Sequence, residues 1–153
     1  MKPLIVLLAV TTFAYVFFKV RNKQNQYAQA ARIGIATMFL FTALGHFLFP
    51  SGMALMIPKF IPFKTVIIYI TAIFEIGGAL ALLIPSFRRT AACLLILFLL
   101  LVLPANINAA IQHLNYQTAT YDGDGLTYLW FRIPLQFLFI LWLYWSTLRQ
   151  AKS

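Results

Sequence analysis

Charge is scarce in this 153-residue chain, and negative charge scarcest of all. Asp and Glu together number 3, and charged residues make up 10% of the chain against 62% hydrophobic. A soluble domain carries about 25% charged residues. Too little polar surface remains to cover a water-soluble globule, so composition alone places the chain in the membrane class. Cysteine is nearly absent too. The single Cys93 excludes an intramolecular disulfide and a Cys-x-x-Cys redox pair. It reads as a small packing residue in a leucine-rich run. His46 and His113 have no spacing that sets both on one helix face. Asp122-Gly123-Asp124-Gly125 reads as a turn, because it lacks the downstream Glu of a calcium loop. No metal site and no cofactor is therefore expected.

What the chain does have is long apolar runs. Crossing a bilayer core takes about 20 apolar residues of helix. Five segments meet or approach that length: 4–20, 30–49, 66–84, 90–111 and 126–148. The expected class is all-α, a transmembrane bundle of five spans. Residues 1–29 form an N-terminal membrane anchor and its connection, and residues 30–153 form a four-helix core. The first run follows Lys2 like a signal peptide. No small-x-small cleavage site ends it, however, and Phe17-Phe18 leads straight into Lys19 and Arg21, which predicts a retained anchor. Residues 50–62, PSGMALMIPKFIP, are apolar but interrupted by three prolines. They suit a loop lying in the interface or dipping back as a lid.

The net charge of +9 would suggest nucleic acid in a soluble protein. Here the cations flank spans instead, and no nucleic-acid partner is expected. Lys19, Arg21, Lys23, Arg32, Arg88, Arg89, Arg149 and Lys152 fall on one side, against Lys2, Lys59 and Lys64 on the other. The positive-inside rule then predicts an outside N-terminus and a cytoplasmic C-terminus. The bilayer is the first partner, and a bacterial inner membrane the expected location.

Polar groups within the spans carry the functional signal. A charge at a helix centre costs about 2.5–3.5 kcal/mol and normally faces the bundle interior with a partner. Glu75 lies about 16 Å along its helix from Lys64, and Arg132 about 10 Å from Gly125. His46 is one turn from Pro50, and Asn106 lies within two turns of its helix end. Four spans thus place polar groups in the outer half, while the inner halves are almost purely apolar. Arg132 and Gln136 are i, i+4 on one face, which Tyr128 extends outward. Glu75 is the candidate catalytic group, as a proton donor or acceptor. His46, Arg132, Asn106, Gln136 and Tyr128 are the candidate ligand-binding residues. A Glu75–Arg132 ion pair is expected, either fixing helix register alone or also lining a ligand site. Asn108 and Gln112 share another face and suit interface hydrogen bonds. Pro104 frees a backbone carbonyl near polar partners. Gly77 with Ala81, and Ala105 with Ala109, suggest close helix approach.

These residues also form a pattern. Gly45-His46-Phe47 with Pro50, Pro58 with Pro62, Glu75-Ile76-Gly77-Gly78, Pro104-Ala105-Asn106-Ile107 and Arg132-Ile133-Pro134-Leu135-Gln136 occur in an order that resembles the DoxX-like membrane protein family. The resemblance covers about residues 30 to 148, and the N-terminal span lies outside it. It implies a four-helix bundle; the family takes its name from a subunit associated with quinone-linked sulfur oxidation, other relatives are linked to redox complexes, and a distant branch acts in receptor assembly. The bundle is also similar to sterol-isomerase-like membrane proteins, which set acids in an apolar pocket. One branch of the family is tied to disulfide chemistry, and the single Cys93 sets this chain apart from it. Two functions follow: a pocket for a quinone or isoprenoid lipid, or an accessory subunit with a structural polar cluster and a larger membrane oxidoreductase as partner. A transporter is disfavoured, since the inner half offers no polar path.

Overall fold

Each apolar run becomes a helix, and the helices stop where prolines, glycines and charges accumulate. A computed structural model describes residues 2–21 and 26–149. Six α-helices follow one another: α1 Lys2–Val20, α2 Tyr27–Leu48, α3 Pro50–Met56, α4 Lys64–Leu83, α5 Arg88–Ile111 and α6 Leu126–Leu143. A π-helical turn, Tyr144–Leu148, extends α6. Five of these helices are long and apolar enough to cross a membrane. The chain is an all-α helical bundle and, by the hydrophobicity of those helices, a multi-pass membrane protein. Lys23 and Lys152, counted in the charge asymmetry, lie outside the described residues.

The surface agrees with a lipid solvent. Ile73 is 65% exposed and Leu101 68%, both far from helix ends. Water would not tolerate so continuous an apolar surface, whereas acyl chains do. Inside, α2 is the central element. It packs against α1 on one side and α4 on the other, while α5 bridges α4 to α6. The main apolar core includes Leu7, Ile35, Phe39, Leu82, Leu95, Phe139 and Leu143. It fills the half of the bundle that carries Arg32, Arg88 and Arg149. A second, smaller core of Ala54, Ile57 and Ile68 lies at the other end.

The proline-broken stretch is partly helical. Pro50 stands in the first turn of α3, where its missing N–H costs nothing. The backbone then runs extended at Ile57 and turns with Ile61 N–H donating to Pro58 O at 3.1 Å. α3 packs on α4, α5 and α2, so it covers one end of the bundle as a short lid.

One expectation about close packing is corrected. Gly77 is exposed, and a Cβ there would meet nothing. Its neighbour Gly78 is the tight position, with the Leu95 side chain filling the space a Cβ would need. The spacing rule found the right turn of helix but the wrong face, because Glu75 fixes the buried stripe of α4 as Ile68, Ala72, Glu75, Ala79 and Leu82. Another close approach joins α1 to α2. A Cβ on Gly34 would overlap the Thr11 side chain and come within 3.0 Å of Leu7 O. Gly34→Ala should therefore push α1 off α2 and lower stability by roughly 1–3 kcal/mol. A fall in the thermal midpoint of the purified protein, with α1 more readily cleaved by protease, is the expected result.

Candidate functional site

The site begins with a helix that cannot present its carboxylate to lipid. Glu75 lies on the buried stripe of α4 and is 5% exposed. Ala72 and Ala79, one turn either side, are fully buried and let α2 come close. Across that seam, Thr42 Oγ1 donates to Glu75 Oε2 at 3.1 Å. The same hydroxyl lies 2.9 Å from Phe39 O in its own helix. His46, one turn further along α2, places Nδ1 3.6 Å from Glu75 Oε2. That nitrogen is 3.0 Å from Thr42 O. A carbonyl can only accept, so Nδ1 carries the proton, and in the neutral ring Nε2 is left as an acceptor.

The expected direct Glu75–Arg132 ion pair does not form. The ring beside this carboxylate is that of His46, which carries charge only when both of its nitrogens are protonated. The reason is topological: α4 seats its stripe against α2, whereas α6 packs on α5 and more lightly on α2. Arg132 lies instead on α6, one turn from Tyr128. Arg132 Nε is buried with no hydrogen-bond partner among the described residues.

Asn106 is 1% exposed and comes from the proline-containing half of α5. Its Oδ1 accepts a long bond from Tyr128 Oη at 3.5 Å. Its Nδ2, like Arg132 Nε, is buried and unpartnered among the described residues. The site residues thus form two groups: Glu75, His46 and Thr42 joined across the α2–α4 seam, and Asn106 with Tyr128, one turn from Arg132, at the α5–α6 seam. On the α5–α6 side Asn106 Nδ2 and Arg132 Nε lack acceptors among the described residues, and on the α4 side Glu75 Oε2 already accepts from Thr42.

Gln136 does other work. Its Nε2 donates to Leu99 O, one residue from the Leu100 carbonyl that Pro104 deprives of its i+4 donor. Gln136 thus ties α6 to the proline-weakened turn of α5. It also touches a shallow apolar groove at that seam, lined with Leu100, Leu103, Ile133, Phe137 and Ile140. Asn108 and Gln112 are interface residues, as expected. Asn108 Nδ2 donates to Met56 O at 2.8 Å, and Gln112 Nε2 donates to Asn108 Oδ1 at 2.9 Å. Lys64 Nζ donates to Ile57 O at 2.9 Å. These bonds fasten the end of the lid, and Gly52 lets α3 meet the Tyr116 backbone where a Cβ would collide. Beyond the helices, His113 is exposed, and Asp122 accepts from Thr120 Oγ1 just past the turn closed by the Asn115–Thr120 bridge.

Sequence reasoning missed Thr42. Its i, i+4 relation to His46 was the available signal, since a hydroxyl on the histidine's own face must also reach the seam.

The model of one protein family, described as "Domain of unknown function (DUF8561)", matches residues 35–147. The chain belongs to that family. The match spans from α2 to the π-helical turn, so it contains every residue of the site. No curated protein and no solved structure matches the chain.

Asn108 is the test of the lid. Asn108→Ala removes the donor to Met56 O, a bond worth about 1 kcal/mol net. Amide hydrogen exchange over residues 50–57 should accelerate roughly five-fold, with exchange in mid-α2 unchanged. Equal acceleration in both segments would mean that Asn108 supports the whole bundle instead.

Proposed function

We propose that this protein binds the oxygen-bearing head of a small lipophilic molecule, a quinone or an isoprenoid lipid, between its helices beneath the α3 lid. One observation carries the reading. Among the described residues Asn106 Nδ2 and Arg132 Nε are buried donors without acceptors, and an unpaired buried donor costs about 1–3 kcal/mol. A carbonyl or ether oxygen placed there relieves that cost. Glu75 then acts as the proton donor or acceptor facing it, with His46 and Tyr128 at the edge. The apolar groove at the α5–α6 seam offers a course for the tail. The order of motifs from Gly45 to Gln136, which resembles DoxX-like proteins, supports a ligand of membrane redox chemistry. By the positive-inside rule the basic end is cytoplasmic, the site opens toward the outer leaflet and the N-terminus lies outside, in a bacterial inner membrane.

A second reading has its own support. Gln136, Asn108 and Gln112 are all spent on bonds between structural elements or along one helix. In an accessory subunit for a larger membrane oxidoreductase, the whole polar cluster would be glue of that kind.

Asn106→Leu separates the two. An organic extract of protein purified in mild detergent is analysed by mass spectrometry beside a thermal melt. Under the first reading the wild type carries a lipophilic molecule, and Asn106→Leu and Arg132→Gln lose most of it. Under the second, no such molecule is present. Asn106→Leu then melts below the wild type, because it deletes the acceptor of the Tyr128 Oη bond that holds α5 to α6. That second result would sink the pocket.

A further inference from the structure

The end of the bundle away from Glu75 holds a second cluster, which owes nothing to the reading above. Arg32, in the first half of α2, lies partly buried against the π-helical turn and donates from Nη1 to Ser146 O at 3.0 Å. That turn is held by Arg149 N–H donating to Tyr144 O at 2.9 Å. Trp142 Nε1 donates to Ala31 O at 3.0 Å and pins α2 and α6 together beside it. Ser146 and Thr147 are buried there. α5, which starts at Arg88, packs on the same turn, so a second guanidinium stands at this junction.

No Asp or Glu side chain answers this pair among the described residues. The three acids of the chain are Glu75, Asp122 and Asp124, and all lie away from this end. A guanidinium has five N–H donors, and Ser146 O takes one of Arg32's. No side chain caps α5 where it starts at Arg88, so the positive end of that helix adds to the same field. Phe87, Tyr144 and Trp145 are exposed at this level. Aromatic residues in that position mark the headgroup zone of a bilayer.

We propose that Arg32 and Arg88, at the junction of α2, α5 and the π-helical turn, form a site for a phosphate-bearing anion, the headgroup of an anionic phospholipid. A phosphodiester accepts from both guanidiniums, cancels their repulsion and lies where its acyl chains continue along the exposed helix faces.

The test uses the full-length chain in micelles of neutral detergent and phosphatidylcholine. Phosphatidylglycerol is titrated in one arm and inorganic phosphate in the other, with the thermal midpoint as readout. The expected result is a saturable rise in the midpoint with phosphatidylglycerol. Arg88→Gln should weaken its apparent affinity roughly five-fold or more. Arg21→Gln, which removes an arginine stacked 5.1 Å over the Phe17 ring, should leave that affinity unchanged. Without added anion, Arg88→Gln should melt no lower than wild type, since it relieves a repulsion and keeps the Arg32–Ser146 bond. A rise in both arms, lost in Arg88→Gln, assigns the site to the phosphate group whatever its carrier. A rise with lipid alone assigns it to the headgroup. No rise in either arm, or equal weakening by Arg21→Gln and Arg88→Gln, overturns the site in favour of diffuse surface charge.

Discussion

A carboxylate halfway along a membrane-spanning helix has to face another helix, and that requirement orders this bundle. Glu75 fixes which stripe of α4 is inward. Alanines flank it on that stripe, so α2 can approach closely enough for Thr42 to reach the acid. Once α2 and α4 are joined in this way, α1 has only the outer side of α2 to pack on, and Gly34 makes room for it there. α5 and α6 then close the remaining side, bringing their amide and guanidinium groups toward the same depth as the acid.

The bundle consequently has two unlike halves. Near the basic end, side chains such as Leu82, Leu95 and Leu143 interlock in an apolar core, beyond which lie the Arg32–Ser146 and Trp142–Ala31 bonds. Towards the other end, the helices are held by polar bonds to backbone: Gln136 to Leu99 O, Asn108 to Met56 O and Lys64 to Ile57 O. In an apolar solvent such bonds do part of the work that packing does in water. The lid is therefore secured by a few replaceable hydrogen bonds, and the core beneath the basic end by many dispersion contacts.

The helices were legible in the sequence because length and hydrophobicity determine them almost alone. The concentration of polar residues in one half was legible only in part, since Ser146 and Thr147 are buried at the basic end. Partner choice was less legible. Glu75 and Arg132 are the obvious pair by charge, yet the acid meets Thr42 and His46. Depth along a helix can be counted from sequence, but which two helices touch at that depth depends on packing. Gly77 and Gly78 show the same limit at one residue's resolution, since rotation about the helix axis is set by the neighbour. The π-helical turn left no pattern to read. It widens the end of α6 by one residue per turn and turns the Ser146 carbonyl toward Arg32, a detail of backbone geometry that composition does not encode.

Thr42 has one hydroxyl proton and two claimants, the carbonyl of Phe39 and the carboxylate of Glu75. When the acid is ionised, the proton turns across the seam and the Phe39 carbonyl gives up its extra bond. When the acid is protonated, it can donate to the hydroxyl instead, and the hydroxyl turns back to its own helix. The arrival or departure of a proton at Glu75 is thereby registered in the backbone of α2, one turn from His46, without any helix having to move.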